Sequence, residues 1–119
     1  MIMKNLLKLE EAALFGFCLY ALYSHDAVWW WYLLMFLGPD ISMLGYLGGN
    51  KSGAATYNLF HHKGVAVAVF VSGLLLPEFL LQITGIILFG HSSMDRMFGY
   101  GLKTEEGFKY THLGIIGKK

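Results

Sequence analysis

The chain has 119 residues, of which 55% are hydrophobic and only 14% are charged, and its formal net charge is +1. Soluble domains carry about 25% charged residues, so this composition favours a membrane as the surrounding solvent and argues against a nucleic-acid-binding surface. The length predicts one domain over residues 1–119, and the single cysteine, Cys18, excludes an internal disulfide.

The first apolar segment covers residues 6–24. Two glutamates, Glu10 and Glu11, lie at its start, and no pair of small residues marks a cleavage site. We therefore expect a retained membrane helix here, not a cleaved signal peptide.

Three further apolar segments cover residues 27–47, 54–76 and 78–95. The second begins with three tryptophans typical of a membrane interface, and Pro77 precedes the fourth, where it suits a helix start. Each segment approaches the roughly 20 residues that a helical span needs. The sequence thus predicts an all-α, four-helix transmembrane bundle with residues 96–119 as a short tail on the membrane surface. A soluble helical bundle is the alternative.

Lysine and arginine residues alternate between the two sides of the predicted bundle. The N-terminal end carries Lys4 and Lys8, Lys51 lies in the second turn, and Arg96 opens a tail with four lysines. Because cytoplasmic segments carry an excess of these residues, both termini are expected in the cytoplasm of a multi-pass protein of the bacterial cytoplasmic membrane.

Polar residues collect at one level of this topology. The residues concerned are Glu10, Asp40, Asn58, His61, His91 and Asp95, which come from all four spans and lie near the cytoplasmic ends. Ionisable groups within a span are costly and face the bundle interior or a wet cavity. We therefore expect these side chains to converge on one pocket.

Imidazole and carboxylate groups together are ligands for zinc, manganese or iron. We predict that His61, His91 and Asp95 hold a divalent ion, with Asp40 or Glu10 as general base. Arg96 would hold an anionic group of the substrate. Alternatively, His91 and Asp95 are the polar end of a span, Asp40 is a turn residue after Pro39, and Glu10 forms a structural ion pair.

The stretches "PDISMLGYLGG", "YNLFHH" and "HSSMDRMFGYGLKTEEGFKYTHLG" resemble the domain-of-unknown-function 4260 family of small bacterial membrane proteins. The resemblance runs from "LLKLE" to "THLG" and implies a membrane setting. The family's polar pattern falls here on Glu10, Asp40, Asn58, His61, His91, Asp95, Arg96 and His112. We expect Arg96, Asn58 and His112 to bind substrate. It favours His61 over His62 and Glu10 over Glu11.

The leading functional hypothesis is a metal-dependent hydrolase of a membrane-associated substrate. The alternatives are a non-enzymatic membrane component, such as a small carrier, a proton relay or an assembly partner, and a haem-binding electron-transfer protein. Membrane lipid is the expected partner, and a homodimer is the expected assembly if the chain is a carrier.

Overall fold

The computed structural model describes residues 2–116, so Met1 and residues 117–119 of the predicted tail lie outside it. The fold is all-α, as predicted. The elements in chain order are α1 (Ile2–Ser24), α2 (Trp29–Leu37), a 3₁₀ segment (Gly38–Gly48), α3 (Asn50–His61), α4 (Lys63–Leu75), α5 (Phe79–Met97), β1 (Tyr110–Thr111) and β2 (Gly114–Ile115).

The predicted second span is not one continuous helix. The α-helix ends at Leu37, and the chain continues as a 3₁₀ segment from Gly38 to Gly48. Pro39 explains the change, because its ring clashes with the preceding turn and it has no N–H for an α-helical hydrogen bond. The change of helix type alters the direction of the side chain of Asp40, the next residue.

The predicted third span is also interrupted. α3 and α4 meet at His62, whose backbone is extended, and their axes differ by 49°. The Nδ1 atom of His62 accepts hydrogen bonds from the N–H groups of Gly64 and Val65, so its side chain caps α4. The cap therefore replaces helical hydrogen bonds that are lost at the bend. The described residues contain five α-helices where four were predicted.

Within residues 2–116, no helix taken alone combines the length and the apolar composition needed to cross a bilayer. α3 and α4 satisfy both conditions only when they are counted together across their bend.

α5 is the central helix, since α1, α2 and α4 all pack against it. The buried core includes Cys18 and Leu22 from α1, Met35 from α2 and Ile83 from α5. Gly90 permits a close approach in this core: a Cβ atom there would lie 2.3 Å from Met35 Sδ and 3.0 Å from Cys18 Cβ. This small residue lets the side chains of Met35 and Cys18 pack against α5 one position before His91.

The segment after α5 folds back on the helices. β1 and β2 form a two-stranded antiparallel hairpin, and Lys103 bridges to Thr111 in it. Lys103 is only 4% exposed, so the tail has a buried cation against the bundle.

Gly90→Ala should lower the free energy of unfolding by about 1–3 kcal/mol, because the added methyl overpacks the junction of α1, α2 and α5. Gly16→Ala is the matched control: nothing lies within 4 Å of a Cβ built at this mid-helix position. That change should leave stability unaltered or raise it by up to about 1 kcal/mol. Denaturation followed by circular dichroism measures both, and equal effects would contradict the packing described here.

Candidate metal centre

Four side chains meet where the 3₁₀ segment, α3 and α5 come together. Asp40 comes from the 3₁₀ segment, His61 is the last residue of α3, and His91 and Asp95 lie one turn apart on α5. Each offers one nitrogen or oxygen atom, and these four atoms all lie within 4.8 Å of one another. The structure thus joins three of the predicted elements at one point.

The distances between the histidine and aspartate atoms are close to those within a metal-ligand shell. His61 Nε2 lies 3.4 Å from both Asp40 Oδ1 and Asp95 Oδ2. His91 Nε2 lies 3.0 Å from Asp40 Oδ1 and 3.6 Å from Asp95 Oδ2. A tetrahedral ion with bonds of about 2.0–2.2 Å separates its ligand atoms by about 3.3–3.6 Å. Three of the four distances fall in this range, and the His91–Asp40 distance is shorter.

Both histidine rings are held in one orientation by backbone carbonyls. His61 Nδ1 lies 2.8 Å from the carbonyl oxygen of Tyr57, and His91 Nδ1 lies 2.9 Å from that of Met35. A carbonyl oxygen can only accept, so Nδ1 carries the proton on each ring and a neutral ring presents the Nε2 lone pair to the cluster. Metal-binding histidines are typically fixed in this way.

With both rings neutral, the cluster has four acceptor atoms facing one another. Two imidazole lone pairs and two carboxylate oxygens repel unless a cation or additional protons lie between them. Such burial is costly, because the side chains of His61 and His91 are only 3% and 0% exposed. A single divalent cation would satisfy all four atoms at once.

An ion-pair network of protonated histidines is the structural alternative. In that case an Nε2–H group would point at one carboxylate oxygen at about 2.7–2.9 Å. His61 Nε2 instead lies equally far from two oxygens, is buried, and has no hydrogen-bond partner in the described chain. His91 Nε2 lies 3.0 Å from Asp40 Oδ1, a distance that a hydrogen bond from a protonated ring also gives. His61 is therefore the residue that favours a shared central ion over separate pairs.

Tyr57 supports two of the four residues. Its hydroxyl donates to Asp95 Oδ2 at 2.9 Å, and its ring stacks on that of His61 with centroids 3.8 Å apart and planes inclined by 6°. Together with its carbonyl bond to His61, these contacts fix both a carboxylate and an imidazole. Groups that orient metal ligands in this way commonly affect metal affinity.

The tail adds a cation next to this supporting layer. The Lys103 ammonium lies 4.7 Å from the ring centroid of Tyr57 and 4.0 Å from that of Phe108, both within cation–π range. Burial lowers the pKa of Lys103, whereas the nearby carboxylates of Asp95 and Asp40 act in the opposite direction. Lys103 thus stacks on Tyr57 and extends the layer of residues that surrounds the cluster.

Two other predicted site residues lie in or against the tail. The Asn58 side chain donates to the Lys103 carbonyl at 2.8 Å and accepts from the Lys103 N–H at 2.5 Å, so it ties the tail to α3. His112 is exposed and accepts from the Leu102 N–H. Partial burial and the nearby cation of Arg96 lower the pKa of His112. Asn58 and His112 therefore have structural partners, and their predicted contact with substrate stays a prediction.

The structure does not bring Glu10 to the cluster. Glu10 is exposed on α1, whereas its neighbour Glu11 forms an ion pair with Lys63 of α4. Successive residues of a helix point about 100° apart, so only one of the two can face the bundle. The pattern that favoured Glu10 over Glu11 thus selected the outward residue, while Asp40, the other predicted base, lies within the cluster.

Sequence reasoning did not single out Tyr57 or Lys103. Tyr57 precedes His61 by four residues, and that spacing places both on one helix face, which is a signal available in the sequence. Lys103 has no comparable signal, since only the folding of the tail brings it against α3.

Comparison with known proteins gives one family. The family model described as "Domain of unknown function (DUF4260)" matches residues 4–116. The chain belongs to the DUF4260 family. The comparisons with curated proteins and with solved structures gave no match. The DUF4260 assignment confirms the resemblance found in the sequence.

Tyr57→Phe should weaken metal binding by about 10–100-fold, because Asp95 loses the hydroxyl that orients it. Tyr46→Phe is the matched control, since the buried Tyr46 hydroxyl has no hydrogen-bond partner in the described chain. Competition with a chromogenic chelator measures both affinities. Equal affinities in the two variants would contradict the supporting role assigned to Tyr57.

Proposed function

We propose that this protein binds one divalent metal ion through His61, His91, Asp95 and Asp40. The observation that carries the proposal is the meeting of four acceptor atoms at histidine–aspartate distances of 3.0–3.6 Å, with both imidazole protons engaged elsewhere. Two imidazoles and two carboxylates suit zinc first, and manganese or iron second.

The metal centre is proposed to serve a hydrolase. A divalent cation bound here supplies Lewis-acid activation of water or of a carbonyl or phosphoryl oxygen. Asp40 differs from the other three residues because its side chain is 37% exposed, against 12% for Asp95. Three inner ligands with an open fourth position are typical of catalytic zinc, so exchange of Asp40 away from the ion would open such a position.

Asp40 would then act as the general base. It would take a proton from the attacking water, whose oxygen bonds to the carbonyl carbon or phosphorus of an ester, and return that proton to the leaving oxygen. Arg96, half-buried in the last turn of α5, is proposed to hold an anionic part of the substrate.

A metal-stabilised, non-enzymatic membrane component is the second candidate. It is favoured by the number of ligands, since four protein side chains can saturate a tetrahedral ion as in structural zinc sites. Bis-histidine haem fits poorly. The ring centroids of His61 and His91 are 4.9 Å apart, and carboxylate oxygens already face the gap between them.

The setting we propose is a multi-pass position in the bacterial cytoplasmic membrane, with both termini and the metal centre on the cytoplasmic side. Large apolar side chains face outward along several helices: Phe17 is 67% exposed, Trp29 70% and Leu75 77%. Water solvates such a surface poorly, and exposed apolar areas of this extent mark membrane or protein contacts. Membrane lipid is the proposed partner, and a second copy could cover part of this surface.

Elemental analysis of the purified protein should find about one divalent ion per chain. His61→Ala and His91→Ala should each abolish its retention, while membrane insertion stays intact. His62→Ala is the matched control, because this adjacent histidine caps α4 and is not part of the cluster. Retention of the ion in His61→Ala would count against the centre.

The same proteins separate the two candidate functions. A hydrolase releases p-nitrophenol from acyl or phosphate p-nitrophenyl esters only when metal-loaded, and His61→Ala removes this activity. Retained metal without turnover of any such ester favours the structural candidate.

Alkaline carbonate washing tests the membrane setting. Because the outward apolar side chains would be buried in hydrocarbon, we expect the protein to stay in the membrane pellet. Immunoblotting of pellet and supernatant makes the measurement, and release into the supernatant would refute the proposed setting.

A further inference from the structure

We propose that the metal centre acts on a substrate with a hydrocarbon chain, and that this chain lies in the apolar cleft between α2, α3 and α5. This chain cleft has a volume of about 190 Å³, and its lining includes Trp31, Leu34, Pro39, Phe60, Ile87 and Leu88. The inference rests on the proposed function and specifies the substrate class of the same site.

The wall formed by α5 continues directly into the metal ligands. Thr84, Ile87 and Leu88 line the chain cleft, and His91 and Asp95 follow at the next two turns. Positions spaced by three and four residues share one helix face. One stripe of α5 therefore changes from apolar to metal-binding along its length.

The other walls also lead to the ligands. Pro39 lines the chain cleft and is followed by Asp40, and Phe60 lines it and is followed by His61. All three elements that supply a ligand thus supply a cleft residue next to that ligand or one turn away. A second apolar cleft lies between α1, α4 and α5, and neither α1 nor α4 supplies one of the four ligands. Its α5 residues Gly85, Ile86 and Phe89 are not spaced by three or four residues from His91.

The chemistry of the chain cleft specifies its occupant. Its lining is almost entirely apolar. Its polar side-chain groups are the indole N–H of Trp31 and the hydroxyl of Thr84, which already donates to the Leu80 carbonyl. No charged side chain lines it, so a headgroup or peptide would leave polar atoms unsatisfied there. A hydrocarbon chain fits, with the polar, hydrolysable end of the molecule at the metal.

Hydroxamates of two chain lengths test whether the chain cleft binds a hydrocarbon chain. Their head group chelates a metal, and the difference in affinity between them measures binding of the longer alkyl chain in the cleft. Acetohydroxamate and octanohydroxamate are titrated calorimetrically into the zinc-loaded protein in detergent micelles. Each buried methylene contributes about fourfold in affinity, so octanohydroxamate should bind at least tenfold more tightly than acetohydroxamate.

Thr84→Trp fills the chain cleft and should reduce this preference at least tenfold while leaving acetohydroxamate affinity unchanged. Val67→Trp, which fills the second cleft, is the matched control and should keep the wild-type preference. The hydroxamates partition into micelles equally in all three experiments, so this partition cancels when the affinity ratios of the wild type and the two variants are compared. Unchanged acetohydroxamate binding shows that a variant is folded, and Leu34→Trp on the opposite wall replaces Thr84→Trp if that variant misfolds.

An unchanged preference in Thr84→Trp, with acetohydroxamate still bound, would overturn the inference and leave the metal centre standing. Loss of the preference only in Val67→Trp would place the chain in the second cleft and overturn it as well. Failure of the wild-type protein to retain zinc or to bind either hydroxamate would refute the metal centre itself.

Discussion

The arrangement of the site depends on two hydrogen bonds from histidine rings to backbone carbonyls. By engaging the Nδ1 protons, Tyr57 and Met35 leave the Nε2 lone pairs of His61 and His91 facing two carboxylates. An all-acceptor cluster of this kind is stable in a buried place only when a cation or additional protons lie between its atoms. The rest of the fold holds these backbone carbonyls and side chains in register.

The breaks in the predicted spans serve this geometry. Pro39 ends α-helical hydrogen bonding before Asp40, and the extended backbone of His62 ends α3 immediately after His61. Both ligands therefore lie at the ends of helical elements, whereas His91 and Asp95 lie within the uninterrupted α5. Gly90 leaves room for the Met35 side chain against α5, and the Met35 carbonyl lies 2.9 Å from His91 Nδ1.

Around the cluster, the protein changes from polar to apolar within one helical turn. On one side Tyr57, stacked between His61 and the Lys103 ammonium, links the ligands to the tail. On another, the chain cleft continues the ligand-bearing face of α5 into apolar surface. A centre placed at such a boundary is suited to amphipathic molecules, whose polar and apolar parts need both environments.

The sequence by itself determined the all-α class, the family and most of the cluster. The lengths of the apolar segments predicted helices. The cost of placing isolated charges in hydrocarbon predicted that four side chains lie together: His61, His91, Asp95 and Asp40. Only the tertiary structure decided that Glu10 faces outward, that Tyr57 supports two ligands, and that Lys103 returns from the tail to stack on it. Periodicity fixes which residues share a face, but the rotation of α1, the bend at His62 and the path of the tail depend on packing between elements distant in sequence.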